Sequence, residues 1–438
     1  ELFLLNLRID LMLNDGQAKK VGVIGGARIP FCRANTAYKN STNQKMMTAS
    51  LKAIVKKYNL QDKVLGDVAL GAVIKHSSDW NLARECVIDS GLSIKTPGVD
   101  MQRACGTGLE TIMNIVNKIS LGQIDSGIGG GVDSISDAPI VYSDKLRKLL
   151  LNSFYGRSIT EKFKPWLNLR PSFLKPKLPG VEEPRTGLSM GESTEIIAKE
   201  YGISRKSQDL LALESHINAS KAYDSGFYDE LVIPFEGVNK DNIIRSDSSI
   251  EKLNSLKTVF DKGPNASMTP GNSTSLTDGS AAVLLSNDAW AEMNGLEIES
   301  YISNFEISAV DYIDEEGLLM APAYAVSEML KKANIELQDF DFYEIHEAFA
   351  AQTLATIGAW ESEEFCQTKL GRNKAMGSFD HKKLNIKGGS LAIGHPFAAT
   401  GARIVATMSK LLREKGKGRG LISICTAGGM GVTAIMER

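Results

Sequence analysis

Ala104-Cys105-Gly106-Thr107-Gly108 opens the stretch on which the fold is read. Behind it Leu109, Ile112, Met113, Val116 and Ile119 recur at helical spacing, and a strand-like run then ends in Gly127-Ile128-Gly129-Gly130-Gly131. A tight turn, an amphipathic helix and a buried strand in this order make an α/β unit. Working outward, Lys20 to Gly25 reads as a buried strand, Met46 to Tyr58 has a helical apolar rhythm, and Val68 to Val73 is again strand-like. Downstream, Gly279 to Ser286 is a strand that completes the first sheet, and a second α/β half runs from about Leu296 to Arg438. That half repeats the unit: His395, a helix carrying Ile404, Val405, Met408, Leu411 and Leu412, then Leu421 to Cys425 and Gly428-Gly429. The order of elements suggests an internal duplication.

With 438 residues the chain exceeds what one hydrophobic core serves, so two or three domains are expected. The 40 glycines against 13 prolines suit tight βα turns, and a net charge of −2 gives nothing global to attract nucleic acid. Five cysteines without paired spacing point to free thiols in a reducing compartment, the cytoplasm first and a mitochondrial matrix second. The apolar opening Glu1 to Leu13 is interrupted by Arg8 and Asp10, too short to span a bilayer and unlike a signal peptide. It does not begin with methionine, so a start further upstream is expected.

Chemistry concentrates in four places. Cys105, just before a helix and among small neighbours, is where a helix N-terminus favours a thiolate. Cys425 lies in a second glycine-rich turn, Cys425-Thr426-Ala427-Gly428-Gly429-Met430-Gly431. His346, in Asp341-Phe342-Tyr343-Glu344-Ile345-His346-Glu347-Ala348-Phe349-Ala350, falls where a strand gives way to a helix. His395 sits in a glycine-flanked loop, Gly388-Gly389-Ser390 to Gly394-His395-Pro396, whose Pro396 holds it extended. Each alone is more often structural, since free cysteines are mostly small buried hydrophobes and histidines have many uses. His76, His216 and His381 lack comparable settings.

Together these blocks resemble the thiolase family, acyl-CoA:acetyl-CoA C-acyltransferases. Cys105 matches the nucleophile block, His346 the block usually written Asn-Glu-Ala-Phe, His395 the Gly-His-Pro block and Cys425 the Cys-x-Gly block. Gly26-Ala27-Arg28-Ile29-Pro30-Phe31, Ser189-Met190-Gly191-Glu192 and Met268 to Gly279 agree as well, so the resemblance covers roughly residues 20 to 438. Two positions depart: His346 stands for the usual Asn, the form associated with the β-subunit of the fatty-acid oxidation complex, and Ala427 stands for glycine.

The resemblance implies a thiolase fold, two similar α/β domains in five α-β-α-β-α layers with an inserted loop domain. The expected division is 1–19 as an extension, 20–140 with 269–290 as the N-terminal domain, 141–268 as the inserted loop domain and 291–438 as the C-terminal domain. It implies reversible CoA-dependent cleavage of 3-ketoacyl-CoA to acetyl-CoA and a shortened acyl-CoA, with coenzyme A a substrate and no metal or bound organic cofactor. Cys105 would attack and carry the acyl group, His395 take its proton, and Cys425 protonate the departing carbanion. His346 and His395 would hold the thioester enolate, and the backbone N–H groups of Cys105 and Ala427 the tetrahedral oxyanion. Met190, Ser273 and Thr274 are the substrate- and CoA-binding candidates. A homodimer is the minimum assembly, with a hydratase/dehydrogenase α-subunit as a further partner.

Other readings fit less well. Acetoacetyl-CoA formation is the same chemistry in reverse and stands as the alternative. A β-ketoacyl synthase puts His or Asn where Cys425 stands, and a non-catalytic acyl-CoA-binding scaffold would not need all four groups. Gly22 to Gly26 and Gly127 to Val132 miss the dinucleotide fingerprint, and no Cys or His pair has metal-ligand spacing. Val141 to Gly180 carries nine basic residues against two acids, with six aromatics. That insertion, continued to Met268 by an irregular polar stretch, is expected to touch a partner, a peripheral membrane surface or coenzyme A.

Overall fold

The computed structural model describes residues 18–177, 180 and 182–438; the reading of Glu1 to Leu13 lies outside them. The first half runs β1 (Val21–Arg28), β2 (Cys32–Arg33), α1 (Asn43–Lys57), β3 (Asp67–Leu70), α2 (Leu82–Ser90), β4 (Gly98–Asp100), α3 (Thr107–Ser120) and β5 (Ser126–Asp133). Before the strand β6 (Thr277–Ser286) comes a long excursion containing α4 (Asp144–Tyr155), α5 (Ile159–Phe163), α6 (Met190–Glu200), α7 (Arg205–Asp224) and α8 (Ile250–Asn254). The second half follows with α9 (Asp288–Met293), β7 (Ser300–Ala309), α10 (Ala321–Ala333), β8 (Phe342–Ile345), α11 (Ala350–Glu361) and α12 (Glu363–Thr368). It ends with α13 (Ser390–Ile393), α14 (Ala399–Lys415), β9 (Arg419–Thr426) and β10 (Met430–Glu437).

The two halves share a topology. In the first, β3 is parallel to β5, β5 antiparallel to β6, and β6 antiparallel to β1. In the second, β8 is parallel to β9, β9 antiparallel to β10, and β10 antiparallel to β7. Antiparallel pairing of Val21–Val23 with Ser300–Ile302 joins them into one strand order, β4-β3-β5-β6-β1-β7-β10-β9-β8, with β2 on β6. The correspondence of β3-α3-β5 with β8-α14-β9 is the duplication expected from the order of motifs.

Side-chain alternation sorts the strands into five layers. Ile24, Val68, Ile128 and Leu284 face α1 and α2, packing on Met46, Leu51, Ile54 and Val87. Val23, Ala69, Val283 and Leu285 face the other way, onto α3 and α14, whose far side meets Ile422, Ile424, Val432 and Ala434. Leu421 and Ile435 face the outer helices α10 and α11, against Met329, Leu330 and Trp360. The middle helices lie close because glycines line their crossing. A Cβ on Gly401 would stand 2.2 Å from the Leu109 nitrogen, and one on Gly108 2.4 Å from the Ala398 oxygen.

The excursion differs from the irregular stretch expected up to Met268. It holds the 20-residue helix α7, whose inward face mixes Leu211, Ala212 and Ala219 with Gln208, Asp209 and Ser215. Those polar groups are paired: Asp209 with Arg205 and Asn272, Gln208 with Ser267, Ser215 with Glu347. Polar residues that bond inside the protein hide the apolar period by which a helix is read.

Candidate active site

The duplicated units bring the four chemical residues to one place. Gly108 of α3 and Gly401 of α14 touch at the N-terminal ends of their helices, so the residues just before each helix, Cys105 and His395, fall together. The parallel pair β8 and β9 ends beside them, delivering His346 and Cys425. His346 N–H donates to the Ser423 carbonyl at 2.8 Å and prolongs that pairing by one residue. The His395 N–H donates to Thr277 Oγ1 at 2.8 Å. The imidazole centroids of His346 and His395 are 4.2 Å apart.

The Cys105 turn is under strain. Ala104 has φ +41°, uncommon for a residue with a Cβ, and is held by Thr107, whose Oγ1 accepts from Arg103 N at 2.8 Å and donates to the Ala104 carbonyl at 2.7 Å. The Cys425 turn is made by Gly428 and Gly429 at φ +77° and +67°, and Gly428 N–H donates to a Glu183 carboxylate oxygen at 2.7 Å. Glu183 comes from the excursion, so that segment secures the turn bearing Ala427.

Burial dominates the electrostatics. It pushes the Cys105 thiol up to about 12, opposed by the backbone amide of Ala427 beside the sulfur. Burial thus favours the neutral thiol at Cys105, against the thiolate expected from the helix N-terminus. Cys425, also raised by burial and then by the neighbouring Cys105, keeps its proton and donates it to Gln352 Oε1 at 3.4 Å. Burial lowers His395 to about 3, with Arg403 adding to the effect. His346 is pushed well below its ordinary value by burial, then by His395 and Arg403. At neutral pH the site holds two thiols and two neutral imidazoles.

Each imidazole has one satisfied and one open nitrogen. His346 Nδ1 lies 2.9 Å from Ser390 Oγ and His395 Nδ1 lies 2.6 Å from Thr400 Oγ1, while both Nε2 atoms are buried with no partner. Two such nitrogens side by side, near a thiol, are suited to an oxygen that gains negative charge. The remaining candidates are tied to this arrangement less directly. Thr274 donates through Oγ1 to the Ser390 carbonyl at 2.7 Å and through N–H to the Ala348 carbonyl at 3.0 Å. Ser273 pairs with Phe349 and leaves its hydroxyl buried and unpartnered. Met190 begins α6 and packs against the cluster that contains Phe349 and Cys425. Sequence reasoning missed Glu183, Gln352, Ser390, Thr400 and Arg403, which act on the four residues from behind.

Residues 21–289 match the family model for the thiolase N-terminal domain and residues 296–438 that for the thiolase C-terminal domain. A 3-ketoacyl-CoA thiolase of Shewanella baltica (strain OS185) is 38% identical over 431 residues, 97% of this chain and 98% of that one. One of Yersinia pestis (strain Pestoides F) is 38% identical over 427 residues, 96% and 97% of the two chains. Among solved structures, a Bacillus anthracis acetyl-CoA acetyltransferase superposes with a TM-score of 0.80 at 29% identity, covering 96% of this chain and 99% of that one. Human mitochondrial 3-ketoacyl-CoA thiolase in complex with CoA gives 0.78 at 26% identity, covering 96% and 98%. With the two domain models matching residues 21–289 and 296–438 and relatives aligned over nearly the whole length, the chain belongs to the thiolase family.

Proposed function

We propose that this protein cleaves 3-ketoacyl-CoA with coenzyme A to give acetyl-CoA and an acyl-CoA shortened by two carbons. The observation that carries the reading is the convergence of the half-buried Cys105 and the buried Cys425 with two buried, unpartnered imidazole nitrogens. Full-length relatives named 3-ketoacyl-CoA thiolase support the same activity.

The mechanism follows from the protonation states. The Cys105 thiol loses its proton to His395 Nε2 as its sulfur attacks the 3-keto carbon, so the thiolate forms only during reaction. The oxygen of the tetrahedral adduct is held by the backbone N–H groups of Cys105 and Ala427. Each such donor is worth about 3 kcal/mol in comparable sites. Breaking the C2–C3 bond leaves the electron pair on C2, spread onto the thioester oxygen, where His395 and His346 donate through Nε2. Cys425 gives its proton to C2, releasing acetyl-CoA and leaving the acyl group on Cys105. The Cys425 thiolate then takes the proton of incoming CoA, whose sulfur attacks the acyl-enzyme, and His395 returns its proton to Cys105. Every proton is accounted for, and no metal or bound organic cofactor is required.

The test is CoA-dependent loss of the 3-ketoacyl-CoA enolate absorbance across short, medium and long chains, with Cys105→Ala as control. Turnover that disappears in the control supports the reading, and absence of turnover at every length overturns it.

Fatty-acid degradation is the direction favoured, in the cytoplasm, by a homodimer. Residues 20–140 with 269–290, and 291–438, are taken as the two catalytic domains, with 141–268 as the insertion. Met190, Ser273 and Thr274 are assigned to acyl-CoA contact. For the insertion tip we favour a peripheral contact with anionic membrane, on its basic and exposed apolar side chains.

A further inference from the structure

Ser390 Oγ stands between two groups of different kind. Arg403 Nη2 donates to it at 3.0 Å, and His346 Nδ1 lies 2.9 Å away. A guanidinium can only donate, so the bond from Arg403 occupies a lone pair of the serine oxygen. A hydroxyl carries one hydrogen, and among the described residues His346 Nδ1 is the only group in hydrogen-bonding reach able to accept it. The arrangement that uses the serine hydrogen has Nδ1 accepting it as the bare nitrogen of a neutral imidazole, with the ring hydrogen on Nε2, the buried atom left without a partner; the reverse arrangement, Nδ1–H donating to the second serine lone pair, strands the hydroxyl hydrogen inside the protein.

We propose that Ser390, held by Arg403, is a positioning residue that fixes His346 in the Nε2–H tautomer, so that His346 presents a hydrogen-bond donor to the thioester oxygen. This rests on the enolate-holding role given to His346 above.

The neighbouring histidine shows the contrast. His395 Nδ1 meets Thr400 Oγ1 at 2.6 Å, and that hydroxyl has no other hydrogen-bond partner among the described residues. Nothing commits the Thr400 hydrogen, so the hydroxyl can turn to donate or accept. His395 can therefore gain and release a proton at Nε2, as a base must, whereas His346 is confined to donating. Arg403 itself is fixed within the fold, 1% exposed, on α14, with Nη1 3.6 Å from the buried Glu344 carboxylate. Its fixed positive charge also opposes protonation of both imidazoles.

The experiment is a long-range proton–nitrogen correlation spectrum of protein labelled with 15N-histidine, His346 being assigned by difference from His346→Asn. Wild type should show hydrogen on Nε2 and a bare Nδ1. Ser390→Ala should blend the two tautomers and lower kcat by about 10- to 100-fold, less than the 10²–10³ of losing an oxyanion donor, with KM within about threefold. Ser390→Thr, which keeps a hydroxyl, should recover most of the rate and the wild-type tautomer. Hydrogen on Nδ1 in the wild type, or Ser390→Ala with unchanged tautomer and kcat, overturns the proposal. Undiminished thiolysis by His346→Ala, with hydrogen still on Nε2 in the wild type, would instead overturn the catalytic role given to His346.

Discussion

At Cys105 two influences on the thiol compete, and burial, which raises it, outweighs the Ala427 amide, which lowers it. With His395 lowered to about 3, the proposed mechanism moves one proton between the pair and does not start from an ion pair. The sign of the pH dependence follows. His395 loses its basic form only as pH falls toward 3, and Cys105 gains charge only toward 12, so neither titrates near neutrality. The rate of acetyl-CoA release in a single turnover without CoA should vary less than about twofold between about pH 5.5 and pH 8. A limb centred near 6.5 would show that His395 behaves as an ordinary exposed histidine. For Cys425, a serine holds its proton more tightly and returns it to carbon less readily. Cys425→Ser should cost about 10²–10⁴ in kcat, and normal turnover would remove the proton-transfer role from this position. Of the four proposed catalytic residues, Cys105, His395 and Cys425 were legible because each sits in a turn with small or glycine neighbours, where a reactive side chain has little structural excuse, and His346, between Ile345 and Glu347, because it falls where a strand gives way to a helix in a block that resembles the family's. Ser390, Thr400 and Arg403 were not, because a polar residue near a helix start looks the same whether it faces water or an imidazole.

At the scale of elements, the contact of α3 with α14 decides whether Cys105 and His395 meet. Gly401→Ala would set a Cβ 2.2 Å from the Leu109 backbone nitrogen, which cannot yield as a side-chain tip would. We expect a loss of about 2–3 kcal/mol in chemical denaturation, with a fall in kcat as the helices part. Gly358, inside α11, is the opposite case, since a Cβ there meets nothing within 4 Å. Gly358→Ala should stabilise by about 0.5–1 kcal/mol through helix propensity, with kcat unchanged. Equal destabilisation by both substitutions would show that the glycine contact between the middle helices carries no special weight. Helical spacing located α1, α3 and α14, and continuous apolar or glycine-rich runs located the central strands, because the buried faces of these elements are almost wholly apolar or small. They failed for α7, where the buried face is half polar and its cohesion comes from partners such as Asn272 and Glu347, far away in sequence.

For the whole molecule, the feature unexplained by catalysis is the tip of the excursion. Leu167 is 86% and Ile159 78% exposed, with Phe154, Tyr155 and Phe163 beside them, although the catalytic layers bury their apolar side chains. Lys145, Lys148 and Lys164 flank the open cleft between α4 and the turn at 164–168. Scattered apolar residues on a surface need no account, but a run of aromatics and aliphatics among lysines is the kind of patch that the proposed contact with anionic lipid needs. No helix among the described residues is long and apolar enough to cross a membrane. The protein should co-sediment with phosphatidylserine-containing vesicles and be released as salt rises, because screening weakens the lysine part of the attraction. The double variant Phe163→Asp, Leu167→Asp should lose vesicle binding while cleaving a short-chain, water-soluble 3-ketoacyl-CoA at the wild-type rate, since neither residue reaches the buried site. Wild-type protein that stays in the supernatant at low salt would turn the assignment of this patch from lipid to a protein partner.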